Sequence, residues 1–288
     1  MKRLLIIFNI FSLLQISCIN NENKSIHMTS TIAFDSGYAK INGLNMYYEI
    51  HGEGKPIVLV HGGGSTIQTT FGVLLPLLAG TNKVIAVELQ AHGHTSDRDA
   101  PESFEQDADD VAGLINYLKI GKADFLGFSN GGNTCMQVGI RHPEMVNKLI
   151  IVSSFYKREG MFRGFFDMMQ NTTLKDMPAH LKEAFMQIKN DSMALQTMFE
   201  KDRNRMLHFT DWSDEDLAMI KAPSLILIGD KDVVTPEHAV EMYHKIPGSR
   251  LMILPGSHGS FIGEGLKDMN VSKMPLYTVA MVREFLNQ

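Results

Sequence analysis

The 288-residue chain is 44% hydrophobic and 20% charged, with a formal net charge of −5. Such a composition supports a folded domain with a sizeable core and excludes intrinsic disorder. A mildly acidic chain without basic clusters offers no electrostatic basis for binding nucleic acid.

The first residues, "MKRLLIIFNIFSLLQISC", run from two cations into an apolar stretch, Leu4 to Ile16, and then to Ser17 before Cys18. This is the layout of a secretion signal over residues 1–17, too short to span a bilayer comfortably as a helix. The expectation is export to the periplasm or the outer surface. Cys18 is similar to the acylated cysteine of a bacterial lipoprotein, although Gln15 stands where Leu is usual. A lipid anchor at Cys18, an uncleaved anchor and a conventional leader with Cys18 incidental all remain open. Residues 18–30 are polar and aperiodic, as a tether would be. Beyond Cys18 only Cys135 remains, in a predicted helix, where a buried apolar thiol is expected. If Cys18 carries lipid, no intramolecular disulfide is possible and stability comes from the core.

"TIAFDSGYAKING" and "LNMYYEIHG" read as two strands joined by a turn near Asn42-Gly43. Six short apolar runs follow: "IVLVHG", "KVIAVEL", "DFLGFS", "KLIIVSS", "SLILIGD" and "RLMILPG". Unbroken apolar strands of this kind predict a parallel sheet covered on both faces. Between them, "SFEQDADDVAGLINYLK" opens with Ser103 and Gln106 in capping-box spacing and stripes Val111, Leu114, Ile115 and Leu118. Thr235 caps a helix with Pro236 in its first turn, and "MPLYTVAMVREFLN" places Leu276, Val279, Val282 and Leu286 on one face. From 155 to 220 the rhythm breaks; helix-like stretches there hold nine of the nineteen methionines. The expected architecture is α/β: a mostly parallel, doubly wound sheet with a helical cap inserted between the sixth and seventh strands. The core would take residues 31–154 and 221–288.

Four strand ends carry candidate chemistry. Gly127-Phe128-Ser129-Asn130-Gly131 is G-x-S-x-G where a strand turns into a helix, so Ser129 is the candidate nucleophile. "HGGG", His61 to Gly64, follows a strand and offers exposed backbone amides. The Gly63 and Asn130 amides are assigned to an oxyanion hole. A phosphate-binding loop does not fit, because no GxGxxG follows a strand. "LIGDKDVV" puts Asp230 and Asp232 at the sheet's carboxyl edge, with Asp232 chosen as the acid and Asp230 as a turn former. His258, in "LPGSHGSF", completes the order nucleophile, acid, base. Gly64, Phe155 and Phe162 are assigned to the substrate pocket. His92, His94 and Asp97 share one short loop, which offers no second ligand group at a known metal-binding spacing.

With these residues the chain resembles the α/β-hydrolase fold family from about Gly37 to its end, the cap excepted. "VIAVELQAHGHTSD" is similar to a family segment usually reading D-x-x-G-H-G-x-S, with Glu88 and Gln90-Ala91 in place of the commoner Asp and Pro-Gly. The resemblance implies a Ser129–Asp232–His258 triad, an acyl-enzyme intermediate, and no cofactor or metal. The apolar cap favours a small or medium hydrophobic ester. Carbon–carbon bond hydrolysis, lactone opening and perhydrolysis stay open on the same residues. So does a surface lipoprotein that binds a ligand without turning it over.

Overall fold

The computed structural model describes residues 34–266 and 271–288. The expected leader, Cys18 and the tether lie outside the described residues. Strand β1 (Phe34–Ile41) returns antiparallel as β2 (Leu44–His51) through Asn42-Gly43. Both turn residues have positive φ, 45° and 86°, which is why Asn-Gly stands there.

The remaining strands are β3 (Lys55–Val60), β4 (Asn82–Val87), β5 (Ala123–Phe128), β6 (Val146–Val152), β7 (Ser224–Lys231) and β8 (Arg250–Ser257). They form one sheet in the order β1-β2-β4-β3-β5-β6-β7-β8. The hairpin joins antiparallel through β2 and β4; every pairing from β4 to β8 is parallel. After β3 the chain steps to one side, to β4, and then to the other, to β5. That reversal opens a crevice beyond the carboxyl ends of β3 and β5, where open sheets place their ligands.

The apolar strands β3 to β7 are buried on both faces because helices cover both; β8, expected to be covered in the same way, is the edge strand and keeps only Leu254 buried. Val58, Val60, Phe125 and Ile151 pack one way, with Phe104, Val111 and Leu114 of α3 (Phe104–Tyr117) and Cys135 and Met136 of α4 (Asn130–Arg141). Their alternates Ile57, Leu59, Leu126 and Ile150 pack the other way, against α1 (Ile67–Phe71), α2 (Leu74–Ala79) and the C-terminal helix (Met274–Asn287). Each fully buried aliphatic side chain contributes about 1.5–3 kcal/mol of transfer free energy.

Between β6 and β7 lie α5 (Phe165–Asn171), α6 (Ala179–Lys189), α7 (Ser192–Leu207) and α8 (Asp214–Ala218). Within 155–220 the only strand-like pairing among the described residues is the isolated bridge Met161–Val234. The cap has a core of its own: Met177, Leu181, Phe185, Leu195 and Met198 close over Ala91. Helix α9 (Pro236–Lys245) joins β7 to β8, with the Thr235 hydroxyl accepting from the His238 amide. The C-terminal helix is α10.

Two local expectations need correction. Ser103 caps α3 by accepting from the Gln106 amide, but the Gln106 side chain turns to Asp110 at 3.0 Å, leaving the capping box half made. On α10 Leu276 is exposed, and Pro275, Thr278 and Phe285 join Val279, Val282 and Leu286 on the buried face. Among the described residues no helix is long and apolar enough to cross a membrane.

Candidate active site

Ser129 ends β5 and begins α4 with φ 53° and ψ −124°, a conformation that costs a side-chain-bearing residue about 1–3 kcal/mol. The turn is closed so tightly that a Cβ on Gly127 would lie 2.1 Å from the Gly131 carbonyl oxygen. Only glycine fits there. The strained turn lifts Oγ off the sheet rim toward the loop after β8.

His258 stands on that loop. Its Nε2 is 3.0 Å from Ser129 Oγ and its Nδ1 is 2.6 Å from Asp232 Oδ1. Three groups 26 to 129 residues apart in sequence are thus in continuous hydrogen-bond contact. The Asp232 side chain is fully buried, whereas that of His258 is 27% exposed. Burial alone would raise the Asp232 pKa. The bond and charge of His258, the Ser153 hydroxyl at 2.6 Å and the Gly229 amide outweigh it and hold the carboxyl below its ordinary range. Oδ1 also accepts from the Val233 amide at 2.7 Å, so the carboxylate is pinned at both oxygens. Asp230 instead accepts from the Gly256 amide, tying β7 to β8.

The glycine loop after β3 is held by His61, a role its sequence did not disclose. Burial lowers the His61 pKa to about 4, so the ring is neutral. The Leu89 amide donates to Nε2 at 3.1 Å, which assigns the proton to Nδ1. That Nδ1–H donates to the Gly62 carbonyl at 2.7 Å. In a trans peptide the N–H points opposite to the C=O. Binding the Gly62 oxygen therefore turns the Gly63 N–H away from His61. Among the described residues neither the Gly63 nor the Asn130 amide donates a hydrogen bond. Asn130 is the first residue of α4, where the amide has no partner within its helix and the helix dipole adds positive potential.

Glu88, the departure from the usual Asp, is buried and accepts from the His94 amide at 2.6 Å and from His94 Nδ1 at 2.9 Å. Among the described residues no three His, Cys, Asp or Glu are grouped to hold a metal ion. His94 serves Glu88, Asp97 pairs with Lys201, and His92 reaches the cap.

The residues assigned to the pocket stand in different settings. Gly64, at φ 67°, would bring a Cβ to 3.2 Å from Met177 Cε of the cap, but its amide is already bonded to Asp202. Phe155 is a core residue, buried against Phe209 and Phe166, with its carbonyl taken by Asn133. That corrects its assignment, since a ring enclosed by core aromatics has no face for substrate. Phe162 is half exposed and bonds by its amide to Val233, next to Asp232. A surface cavity of about 910 Å³ is lined by Phe104 and residues of the Arg205–Trp212 stretch, and none of Ser129, Asp232 and His258 lines it.

The alpha/beta hydrolase fold family matches residues 55–187. The serine hydrolase BPHL of Homo sapiens is 30% identical over 243 residues, 77% of this chain and 80% of that protein. A pimeloyl-[acyl-carrier protein] methyl ester esterase of Neisseria meningitidis is 28% identical over 239 residues, 72% of this chain and 88% of the esterase. Among solved structures, a meta-cleavage product hydrolase from Pseudomonas fluorescens superposes with a TM-score of 0.72 at 21% identity, covering 88% of this chain and 97% of that one. At that identity the likeness bears on the fold alone.

Proposed function

Given that this chain belongs to the α/β-hydrolase fold family, we propose that it is a serine hydrolase that cleaves small or medium apolar carboxylic esters through Ser129, His258 and Asp232. The observation that carries this reading is the unbroken contact from Ser129 Oγ to His258 Nε2 and from His258 Nδ1 to Asp232, at 3.0 and 2.6 Å.

In the proposed reaction His258 Nε2 takes the Ser129 proton as Oγ attacks the carbonyl carbon. Asp232 holds the ring in the tautomer with Nδ1 protonated and stabilises the imidazolium that forms. The amides of Gly63 and Asn130 receive the oxyanion, each contributing about 3 kcal/mol in the transition state. His258 returns the proton to the leaving alcohol. It then activates water, which releases the acid and restores Ser129.

The preference for apolar groups is supported by the cap residues beside the glycine loop. Met177 Cε and Leu181 Cδ1 would lie 3.2 and 3.9 Å from a Cβ on Gly64. The test is hydrolysis of p-nitrophenyl esters of increasing acyl length, beside a lactone and a vinylogous diketone, with Ser129→Ala as control. Short and medium esters are expected to be the best substrates. A lactone or diketone turned over at least tenfold faster would reassign the reaction.

Export on residues 1–17 with acylation at Cys18 is part of the same proposal, supported by the order of charges, apolar run and cysteine. Cells fed radioactive palmitate should label the protein, and Cys18→Ser should abolish the label. A fully labelled Cys18→Ser protein would remove the anchor from the proposal.

A further inference from the structure

Helix α7 turns Leu195, Met198, Asp202, Arg205 and Met206 inward, so two charges occupy an otherwise apolar stripe. Buried charges persist only where partners replace the lost water. Asp202 Oδ2 accepts from the Gly64 amide at 2.5 Å and lies 2.8 Å from His92 Nε2. Its Oδ1 accepts from the Asn130 side-chain amide at 3.3 Å and from the Arg205 guanidinium. Arg205 donates to Asp107 of α3 at 2.5 Å and lies 3.6 Å from Glu102. His92 is fixed at its other nitrogen by the Gln90 carbonyl at 2.7 Å. Burial opposes charge on His92, but the Asp202 carboxylate beside it raises its pKa to about 9. His92 Nε2 thus stands between two partners, the Asp202 carboxylate and the Gly64 amide at 3.1 Å.

These contacts meet on the oxyanion loop. Gly63 has no side chain of its own to anchor, so only its two flanking peptides can fix its amide. His61 holds the peptide before it through the Gly62 carbonyl. Asp202 holds the peptide after it through the Gly64 amide, and the side chain of Asn130 as well. The loop lies flat on both partners: a Cβ on Gly63 would come within 2.4 Å of Asn130 Nδ2 and 3.1 Å of Asp202 Oδ2. A carboxylate beside an oxyanion hole would repel the developing charge if left bare. The Arg205 guanidinium, paired with it, offsets that repulsion, and His92 lies against its other oxygen.

We propose that Asp202 is a positioning residue of the oxyanion hole, by which the cap sets where the amides of Gly63 and Asn130 stand. The proposal rests on the reading of Ser129 as nucleophile. It makes α7 part of the reaction's geometry as well as the roof of a pocket. A bracing role alone would loosen the cap and raise KM, whereas a misplaced oxyanion donor lowers kcat.

The experiment compares the wild-type chain with Asp202→Ala and Asp202→Asn on p-nitrophenyl butyrate, alongside the rate of labelling by a fluorophosphonate. Labelling builds a tetrahedral phosphonyl adduct whose oxygen uses the same amides. For Asp202→Ala, kcat should fall about 10- to 100-fold with KM within about threefold, and labelling should slow in parallel. Asparagine keeps one acceptor for the Gly64 amide, so Asp202→Asn should lose about 3- to 10-fold. It carries the test if the alanine variant fails to fold. Unchanged kcat in a folded variant, or a rise confined to KM, would overturn the proposal. A wild-type protein that neither hydrolyses the ester nor takes up the probe would instead defeat the serine-hydrolase reading, and this inference with it.

Discussion

The strain at Ser129 and the pinning of Asp232 belong to the same design. A hydroxyl forced out of the backbone's comfortable range keeps its bond to an imidazole only if that ring does not wander. His258 sits on a glycine-flanked loop, and what steadies it is a carboxylate bonded at both oxygens. Ser153 supplies one of those bonds, at 2.6 Å. Replacing Ser153 by alanine leaves Oδ2 with the longer Gly229 contact of 3.3 Å. The expected outcome for Ser153→Ala is a kcat for ester hydrolysis lower by about 3- to 10-fold with KM little changed, the range of a lost supporting hydrogen bond. An unchanged kcat would mean that the backbone amides alone orient Asp232. Ser129, Asp232 and His258 were legible because each sits in a glycine-marked turn at the end of an apolar strand. Ser153 was not: a serine after a strand is commonplace, and its partner lies 79 residues further on.

Elements were legible wherever burial was two-sided. Five of the six runs of Ile, Val and Leu are the inner strands β3 to β7, where no alternation was possible with helices on both faces; the sixth, "RLMILPG", is the edge strand β8, where only Leu254 is buried. Helix phase was harder to read. On α10 Pro275 and Thr278 turn inward in place of Leu276, and neither carries a strong hydrophobic signal. On α7 the signal is the reverse, charges at Asp202 and Arg205 standing in register with Leu195 and Met198. The loop after β4 shows how local geometry absorbs an unusual residue. Glu88 folds back over Gly93, which has φ 47° and leaves no room: a Cβ there would meet the carboxylate at 2.3 Å. Gly93→Ala should therefore displace Glu88 from the His94 amide and cost about 2–3 kcal/mol in urea unfolding. A loss under about 0.5 kcal/mol would show that Glu88 swings aside freely.

For the molecule as a whole, the buried charges between cap and core give stability a pH dependence of definite sign. Burial pushes Glu102 up to about 8 against the pull of Arg205, and His92 stands at about 9 because Asp202 outweighs its burial. Both groups bind their protons more tightly folded than unfolded. Between pH 7 and pH 9 the folded state therefore holds more protons, and stability falls as pH rises through that window. The melting temperature should drop from pH 7 to pH 9. Glu102→Gln, which mimics the neutral acid, should flatten the drop and add about 1 kcal/mol or more at pH 8. A steeper drop in that variant would contradict the assignment. This network joins residues from three separated stretches, 92, 102–107 and 202–205, so its partners are set by packing and no local pattern announces them.

The proposed reaction requires Ser129 Oγ to form a covalent bond with substrate. Intact-protein mass spectrometry after brief exposure of residues 18–288 to a fluorophosphonate measures this directly. A single adduct is expected, located by peptide mapping at Ser129, absent from Ser129→Ala and much slower to form in His258→Ala. A folded protein that takes up no adduct, or an adduct that persists undiminished in Ser129→Ala, would contradict the proposed reaction.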